Sequence, residues 1–252
     1  VERMEGKIEV KVYGDNLSSH LLKCHIDAKQ RAIEKIGDKR WTNNYAAIQK
    51  EMHLRYEDYG TFMLTNIKSM SFEIVGKGVL ALYTQLSRPI RILDYGCGNG
   101  QLSRSLKEMF NIVEVTNYDP FVSEFSKEPE GNFDMVVCLD VMEHIEMQCI
   151  KNTLKYIQDK ATYMVVFVIA LDEAKKELAD GRNAHITLKN PYWWVGKLQE
   201  RFIVVEAVQS AQEGNRAAVY AVCQSMEGRE RFYDERDGND RQVQETCQTK
   251  VA

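Results

Sequence analysis

A cluster of glycines follows an aspartate near the middle of the chain, where residues 93–101 read LDYGCGNGQ. Glycine lacks a Cβ, so the backbone can turn sharply here and approach a ligand closely. The cluster lies between Arg91–Tyr95, an apolar run typical of a buried strand, and Gln101–Phe110, which has helical spacing. The first turn of that helix offers N–H groups to an anion, and Asp94 offers the opposite charge to a cation. The spacing therefore predicts a site for a ligand that carries both charges.

A second acid, Asp119, ends the next apolar run, Ile112–Tyr118, and precedes Pro120. A carboxylate at this place can accept both hydroxyls of a ribose. S-adenosylmethionine (SAM) carries a ribose, an amino group and a carboxylate, so it matches the whole pattern. A dinucleotide is the competing ligand, but its G-x-G-x-x-G fingerprint fits poorly because the third glycine comes one position early and Gln101 replaces the last small residue. The remaining alternative is a glycine-rich turn without a ligand.

Titratable side chains follow two further apolar runs. Asp140, Glu143 and His144 come after Phe133–Leu139, and His185 ends the segment DGRNAH. The carboxyl ends of parallel strands are where open α/β sheets bind ligands. An imidazole titrates near neutrality and can take a proton from an oxygen nucleophile. We therefore take His185, His144 and Asp140 as candidate catalytic residues. The structural alternatives are first-turn acids for Asp140 and Glu143, a loop-supporting residue for His144 and an ordinary surface histidine for His185.

Residues 86–226 alternate apolar runs with amphipathic stretches, which predicts an α/β fold with a Rossmann-like, mainly parallel, seven-stranded sheet. The space before Phe133 is short, so one strand–helix unit is abbreviated. A turn at residues 213–215 predicts a C-terminal antiparallel hairpin. The further predicted strands are Tyr163–Ala170, Phe202–Gln209 and Ala217–Gln224, and the further predicted helices are Met142–Ile157, Asp172–Ala179 and Tyr192–Glu200, the last capped by Asn190 and opened by Pro191.

The regions flanking this core differ from it in composition. Residues 1–85 predict a mainly helical extension or lid after a short strand at Lys7–Tyr13, and residues 227–252 predict a disordered polar tail. Lys35, Lys39 and Arg40 are interpreted as a solvated face. The residues that either cover SAM or pack a helical core are Tyr45, His53, Tyr56, Tyr59 and Gly60.

Composition and charge narrow the class of protein. The net charge of −4 disfavours tight non-specific binding of nucleic acid. The six cysteines form no CxxC pair, which predicts reduced thiols in a cytoplasmic protein. The longest apolar run is too short for a membrane span, so no membrane association is expected. Because the chain begins without methionine, we expect a trimmed chain or a fragment of a longer product.

Four segments together resemble the class I SAM-dependent methyltransferases: LDYGCGNGQ, NYDPF, FDMVVCLDVMEHI and ADGRNAHITLKNPYWW. They are most similar to a group found in bacteria and phages that carries the DGRNAH segment. The resemblance implies that Leu139 and Asp140 line the junction between cofactor and acceptor. The other residues that it assigns to the SAM site are Asp94, Tyr95, Gly96, Cys97, Gly98, Gly100, Asp119 and Pro120.

One arrangement also resembles the metal-binding set of small-RNA 3′-end 2′-O-methyltransferases, in which two acids and two histidines hold a divalent cation. Here that set would be Asp140, Glu143, His144 and His185, with an aspartate where the family has a glutamate. Oxygen and imidazole ligands suit Mg²⁺, Mn²⁺ or related ions. Because the EHI segment is also common in metal-independent methyltransferases, we expect no metal.

Three hypotheses for function remain. The first is methylation of an oxygen of a small molecule or sugar, since CLDV stands where N-methylating enzymes of DNA bases carry a (D/N/S)PP(Y/F) signature. The second is methylation of RNA at a ribose hydroxyl or a cap, which would need a basic groove made from Lys and Arg of residues 1–85. Trp193 and Trp194 either stack on a base or a sugar face or only pack their helix on the sheet. The third is a non-catalytic module with a SAM-binding fold, against which the intact glycine loop argues. The sequence does not predict an oligomeric state.

Overall fold

The computed structural model describes residues 36–56, 70–211 and 217–225. Several predicted features lie outside these ranges: the strand at Lys7–Tyr13, Lys35, Tyr59 and Gly60, the turn at 213–215 and the tail at 227–252. The elements in chain order are α1 (Asn43–Arg55), α2 (Met70–Leu86), β1 (Ile90–Tyr95), α3 (Gln101–Met109), β2 (Val113–Tyr118), β3 (Phe133–Leu139), α4 (Ile150–Lys160), β4 (Ala161–Ala170), α5 (Pro191–Gln199), β5 (Phe202–Ala211) and β6 (Ala217–Ser225).

The strands form one sheet in the order β2-β1-β3-β4-β6-β5. The first four strands are parallel, and β6 runs antiparallel to both β4 and β5. This confirms the predicted Rossmann-like sheet with its C-terminal antiparallel hairpin. The described residues supply six strands rather than the predicted seven. Between β2 and β3 they contain only a 3-10 turn at Ser123–Phe125, which is too short for a strand–helix unit.

The core lies on both faces of the sheet. All seven residues of β3 are buried, and β4 is buried along nearly its whole length. Such continuous apolar runs are typical of parallel strands that are covered on two sides. Helix α2 covers one face with Phe72, Val75 and Val79. The predicted boundary between extension and core at residue 86 stays a prediction, although α2, which ends there, packs on the sheet.

Helix α1 and the segment after β4 share a second, smaller apolar cluster. Tyr45, Ile48 and Met52 of α1 pack against Leu178 and Ala184. The predicted helix Asp172–Ala179 is wrong, because this segment is irregular. The amide of Asn183 explains the difference, since it bonds both the N–H of Ala174 (3.0 Å) and its carbonyl (2.9 Å). A long-range side chain thus takes backbone groups that a helix would need.

The helix predicted for Met142–Ile157 is wrong in its first half. Two 3-10 turns occupy Met142–His144 and Met147–Cys149, and α4 begins only at Ile150. Ile145 and Glu146 interrupt the helix with extended ψ angles of 133°. The region after β3 is therefore an extended loop and not a regular helix.

Helix α5 begins as predicted. The side chain of Asn190 accepts a hydrogen bond from the N–H of Trp193 (2.9 Å), and Pro191 is the first helical residue. Trp194 is fully buried, so the packing interpretation is confirmed for that residue. Trp193 is half-buried and lies between Lys189 and Lys197. Within the described ranges, no helix has both the length and the hydropathy that a membrane crossing requires.

We expect Arg88→Ala to lower the free energy of unfolding by about 2 kcal/mol. Arg88 donates two hydrogen bonds of 2.7 Å to the buried carboxylate of Asp134, and the N–H of Arg91 donates a third. Removing Arg88 leaves a buried charge with one partner. Chemical denaturation measures the loss. The matched control is Lys127→Ala, whose ion pair with Glu130 is exposed and should matter little. Equal effects of the two variants would contradict the assignment.

Candidate functional site

The glycine loop turns sharply at the end of β1. Gly96, Gly98 and Gly100 have φ angles of +75°, +52° and +73°, a region that side-chain-bearing residues rarely adopt. The N–H groups of Gly96 and Cys97 donate to the carbonyl of Tyr118 at 2.8 and 3.2 Å, which joins the loop to the end of β2. A Cβ at Gly96 would lie 2.4 Å from Val141 Cγ2. Position 96 therefore requires glycine both for its φ angle and for space.

Two acids lie beside this loop and both are buried. Asp119 accepts hydrogen bonds from the N–H of Gly98 (3.1 Å) and of Phe121 (3.0 Å). Asp94 is only 4% exposed, and its Oδ2 has no hydrogen-bond partner. Burial and the neighbouring charge of Asp119 raise the pKa of Asp94 to about 7. Burial also raises the pKa of Asp119, although His53 and three backbone N–H groups oppose the rise.

An unpaired carboxylate oxygen in the interior is unfavourable unless a ligand satisfies it. An ammonium group is the complement that Asp94 lacks, because it carries positive charge and donates hydrogen bonds. Helix α3 begins directly after Gly100, which supplies no side-chain cap to its N-terminus. An acid for an amino group, a helix N-terminus for a carboxylate and a second acid for ribose hydroxyls together fit SAM.

The other residues predicted for the cofactor site differ in what they can offer. The side chain of Tyr95 points into an aromatic cluster with Tyr118 and Tyr156, so only its backbone is near the loop. The thiol of Cys97 is buried, and burial raises its pKa. Pro120 is half-buried after Asp119, and Leu139 is the last, buried residue of β3.

Arg40 occupies the same aromatic cluster. Its guanidinium lies 3.7 Å from the ring centroid of Tyr156, donates to Tyr118 Oη at 2.9 Å and pairs with Glu128. The side chain is only 12% exposed, so the prediction of a solvated face is wrong for Arg40, whereas Lys39 is exposed. The electron-rich faces of the rings and one carboxylate compensate the buried charge.

Asp140 follows β3 with a φ of +51°, which is uncommon for a residue other than glycine. Its N–H donates to the carbonyl of Val168 in β4 at 2.9 Å, so the bend is held between the two central strands. Backbone of this kind costs about 1–3 kcal/mol and persists where the surroundings enforce it. The bend directs the following residue, Val141, against Gly96 and leads the chain toward Glu143 and His144.

The two histidines that we predicted as catalytic lie against each other, with ring centroids 4.8 Å apart. His144 Nδ1 lies 2.8 Å from the carbonyl of Ala184, and His185 Nδ1 lies 2.5 Å from the carbonyl of Asp172. Because a carbonyl only accepts, each Nδ1 carries the proton, and in the neutral ring the lone pair is on Nε2. The backbone thus fixes one tautomer for both imidazoles.

Glu143 completes this group. Its side chain is fully buried, its Oε1 lies 4.0 Å from His185 Nε2, and it accepts a hydrogen bond from the N–H of Ala170. His185 is 5% exposed, so the surface-histidine alternative is wrong, and His144 is half-buried. The structure therefore brings together the loop after β3 and the segment after β4.

The same three side chains could hold a metal. Ligand atoms of Glu143, His144 and His185 lie within 4.8 Å of one another, and histidine ligands of metals commonly donate their second N–H to a carbonyl. Among the described residues, Asp140 is not part of this group, although the resemblance to 2′-O-methyltransferases placed it there. Two imidazoles and a carboxylate suit Mn²⁺, Fe²⁺ or Zn²⁺ better than Mg²⁺.

Helix α1 contributes contacts that the sequence did not predict. Tyr45 donates through its hydroxyl to the carbonyl of His144, and Thr42 donates to the carboxylate of Glu146 from its N–H (2.9 Å) and its hydroxyl (3.1 Å). His53 interacts electrostatically with Asp119, and burial lowers its pKa. In the sequence, the only indication of these contacts is that Tyr45 and His53 belong to the group of residues predicted either to cover SAM or to pack a helical core.

A shallow cleft of about 430 Å³ is lined by residues that follow the two histidines in sequence. Glu146 and Met147 line it after His144, and Ile186 and Thr187 line it directly after His185. Its charged rim includes Arg182, which is paired with Asp180 at 2.7 Å.

A family model described as a methyltransferase domain matches residues 68–211. Among solved structures, the fold is similar to the 1,6-didemethyltoxoflavin-N1-methyltransferase of Burkholderia thailandensis, which contains 1,6-didemethyltoxoflavin and S-adenosylhomocysteine. The TM-score is 0.51 at 15% identity, over 72% of this chain and 89% of that one. A second similar structure is the N-methyltransferase NodS of Bradyrhizobium japonicum with S-adenosylhomocysteine, at a TM-score of 0.47 and 15% identity, over 73% of this chain and 100% of that one. No curated protein matches the sequence.

Proposed function

This chain belongs to the methyltransferase-domain family, and from that membership we propose that it transfers a methyl group from SAM to an oxygen atom of a small molecule or sugar. The observation that carries the proposal is the buried, unpartnered carboxylate oxygen of Asp94 beside a glycine loop and a helix N-terminus. The amino group of SAM would supply the partner that this oxygen lacks, whereas a protein without a cofactor would bury the acid at a cost.

In this proposal each part of the cofactor has its own residues. Asp94 holds the amino group, the N-terminus of α3 after Gly100 holds the carboxylate, and Asp119 holds the ribose hydroxyls. Bound SAM supplies a methyl group on a positively charged sulfur, which is already activated for transfer. The remaining task of the protein is to orient the acceptor and remove its proton.

The proton of the acceptor hydroxyl passes to an imidazole. His144 is the partly exposed ring, and its Nε2 has the lone pair that can take the proton. His185 packs edge-on against that ring, and Glu143 lies behind His185, so the buried carboxylate can favour positive charge on the pair. Asp140 shapes the wall between cofactor and acceptor through its strained bend. Leu139, the last residue of β3, lines the same junction.

We expect His144→Ala and His185→Ala each to lower turnover about 100-fold, because a general base contributes that much or more. Their affinity for SAM should stay within about twofold, since neither lies in the glycine loop. The assay incubates the full chain with methyl-labelled SAM and a panel of hydroxylated small molecules, nucleotide sugars, RNA and protein, and counts transferred label. Lys127→Ala, whose exposed ion pair with Glu130 lies in the loop between β2 and β3, serves as the unchanged control.

Unchanged turnover in both histidine variants would reject the proposed base. Label that enters RNA alone would overturn the small-molecule or sugar acceptor. A chain that binds SAM but labels nothing in the panel would favour the non-catalytic module.

A second candidate function is methylation of an RNA ribose hydroxyl or cap. The grouping of Glu143, His144 and His185 favours it, because a divalent cation there could bind ribose oxygens. The half-buried Trp193 with Lys189 and Lys197 adds a basic aromatic surface. The labelling assay separates the candidates when it is run with EDTA and with added Mn²⁺, since only the metal-dependent reaction on RNA should lose its activity.

Three finer assignments also remain proposals. The narrower group of bacterial and phage methyltransferases rests on the segment Asp180–His185. A cytoplasmic location rests on the cysteines, of which Cys97, Cys138, Cys149 and Cys223 are buried free thiols. The division into an extension at 1–85, a core at 86–226 and a tail at 227–252 rests on composition, and limited proteolysis with mass spectrometry would test it.

A further inference from the structure

Helix α1 lies outside residues 68–211, the part of the chain that the methyltransferase family shares, and yet it contacts the histidine pair. Its buried face carries Tyr45, Gln49 and Met52. Tyr45 is almost fully buried, so its hydroxyl needs a partner inside the protein. That partner is the backbone carbonyl of His144, the residue that we propose as the base.

Three successive hydrogen bonds connect α1, through His144, to the carbonyl of Ala184. Gln49 Nε2 donates to Tyr45 Oη, and Tyr45 Oη donates to the backbone carbonyl of His144. On the other side, the imidazole Nδ1 of His144 donates to the carbonyl of Ala184 at 2.8 Å. His144 is therefore held at its backbone by α1 and at its ring by the segment after β4.

Hydrogen bonds also hold the N-terminal end of α1 in place, so the helix can fix the position of His144. The N–H and hydroxyl of Thr42 both donate to Glu146, two residues after His144. Asn152 and Thr153 donate to the carbonyls of Lys39 and Arg40, just before the helix. The apolar side of α1 packs on Leu178 and Ala184, so one helix contacts both loops that carry the histidines.

We propose that Tyr45 is a positioning residue for His144, which makes α1 a working part of the acceptor side of the site. The role of His144 rests on the proposed function. Without the phenol hydroxyl, the carbonyl of His144 loses a buried partner, and the 3-10 turn Met142–His144 gains freedom to rotate. The ring would then leave Ala184, and the single tautomer that this bond enforces would be lost.

The variant Tyr45→Phe tests this directly, because it keeps the ring in the apolar cluster and removes only the hydroxyl. Imidazole ¹⁵N–¹H spectra of the full chain at about pH 8 report which ring nitrogen carries the proton. In the native protein we expect His144 in a single Nδ1–H form, assigned by its disappearance in His144→Gln. In Tyr45→Phe we expect a mixture with the Nε2–H form. Tyr83→Phe, at a partly exposed position on α2, should leave the spectrum unchanged.

A merely structural role would lower stability without changing the tautomer. The proposal is overturned when Tyr45→Phe keeps the native spectrum of His144, and also when native His144 shows no preference for Nδ1–H. Gln49→Met serves where Tyr45→Phe fails to fold, because it removes the donor that orients the phenol, and a smaller change in the same direction is expected. Calorimetry with S-adenosylhomocysteine on the same samples keeps the two proposals apart: binding should be equal in both proteins, and no binding to the native chain would count against the proposed function alone.

Discussion

Replacing Asp94 with asparagine is expected to stabilise the ligand-free protein while weakening SAM binding by about 100-fold or more. The carboxylate is buried, lies near Asp119 and has an oxygen without a partner. Asparagine keeps the shape and removes the charge. The protein thus gains stability from losing the group that the cofactor requires.

The direction of the pH dependence follows from the raised pKa. Asp94 titrates at about 7 in the folded protein and at 3.8 ordinarily, so the folded state holds its proton more tightly than the unfolded chain. The free energy of unfolding is therefore highest below about pH 4, where Asp94 is protonated in both states. It falls by on the order of 4 kcal/mol as the pH rises from about 4 to about 7, because the buried carboxyl must then lose its proton. Asp94→Asn should remove that loss. Thermal unfolding of both proteins at about pH 5 and about pH 8, with SAM calorimetry at the higher pH, measures both effects.

Asp134→Asn is the matched control, because Asp134 is equally buried but paired with Arg88. We expect it to lose stability and to keep its affinity for SAM. A less stable Asp94→Asn protein at about pH 8, or one that binds SAM as tightly as the native chain, would contradict the role assigned to Asp94.

Gly96→Ala is expected to abolish SAM binding and to cost about 3 kcal/mol of folding stability. The new methyl group would meet Val141 Cγ2 at 2.4 Å, and alanine is strained at a φ of +75°. Val141 belongs to the bend after β3, so the clash pushes the cofactor loop and the acceptor loop apart. Denaturant unfolding measures the loss of stability, and calorimetry on the same samples measures the affinity for SAM.

Gly131→Ala separates strain from the clash. Gly131 has a φ of +73°, and a Cβ there would meet only Arg91 Nη2 at an ordinary 3.9 Å. This variant should lose about 1 kcal/mol and bind SAM normally. Equal losses of stability at positions 96 and 131, with SAM binding intact in both, would show that the loop tolerates a side chain and that our account of Gly96 is wrong.

The sequence predicts the sheet well because burial on both faces leaves long apolar runs. Strand β3 has the bounds that were predicted, Phe133–Leu139, and β1, β2 and β4 differ by a residue or two. The order of apolar runs and glycines also placed Asp94 and Asp119 at one edge. Local patterns suffice here because neighbouring parallel strands end together.

The loops were predicted less well, because distant side chains decide their course. Thr42 holds Glu146 away from a continuous helix, and Asn183 takes both backbone groups of Ala174. Arg40 looked like a surface cation, and only the packed structure places it among three tyrosines. The resemblance to 2′-O-methyltransferases implied that His144 and His185 lie together, but the sequence did not indicate that carbonyls fix their tautomers or that Tyr45 supports one of them.

The most direct test of the whole account is a crystal structure of the full chain with S-adenosylhomocysteine. We predict that the amino group of the ligand donates to the carboxylate of Asp94, that the ribose hydroxyls donate to Asp119, and that the sulfur faces Asp140 and His144. A ligand bound elsewhere, or one whose amino group leaves Asp94 Oδ2 without a partner, would contradict the assignment of this edge of the sheet as the methyl-transfer site.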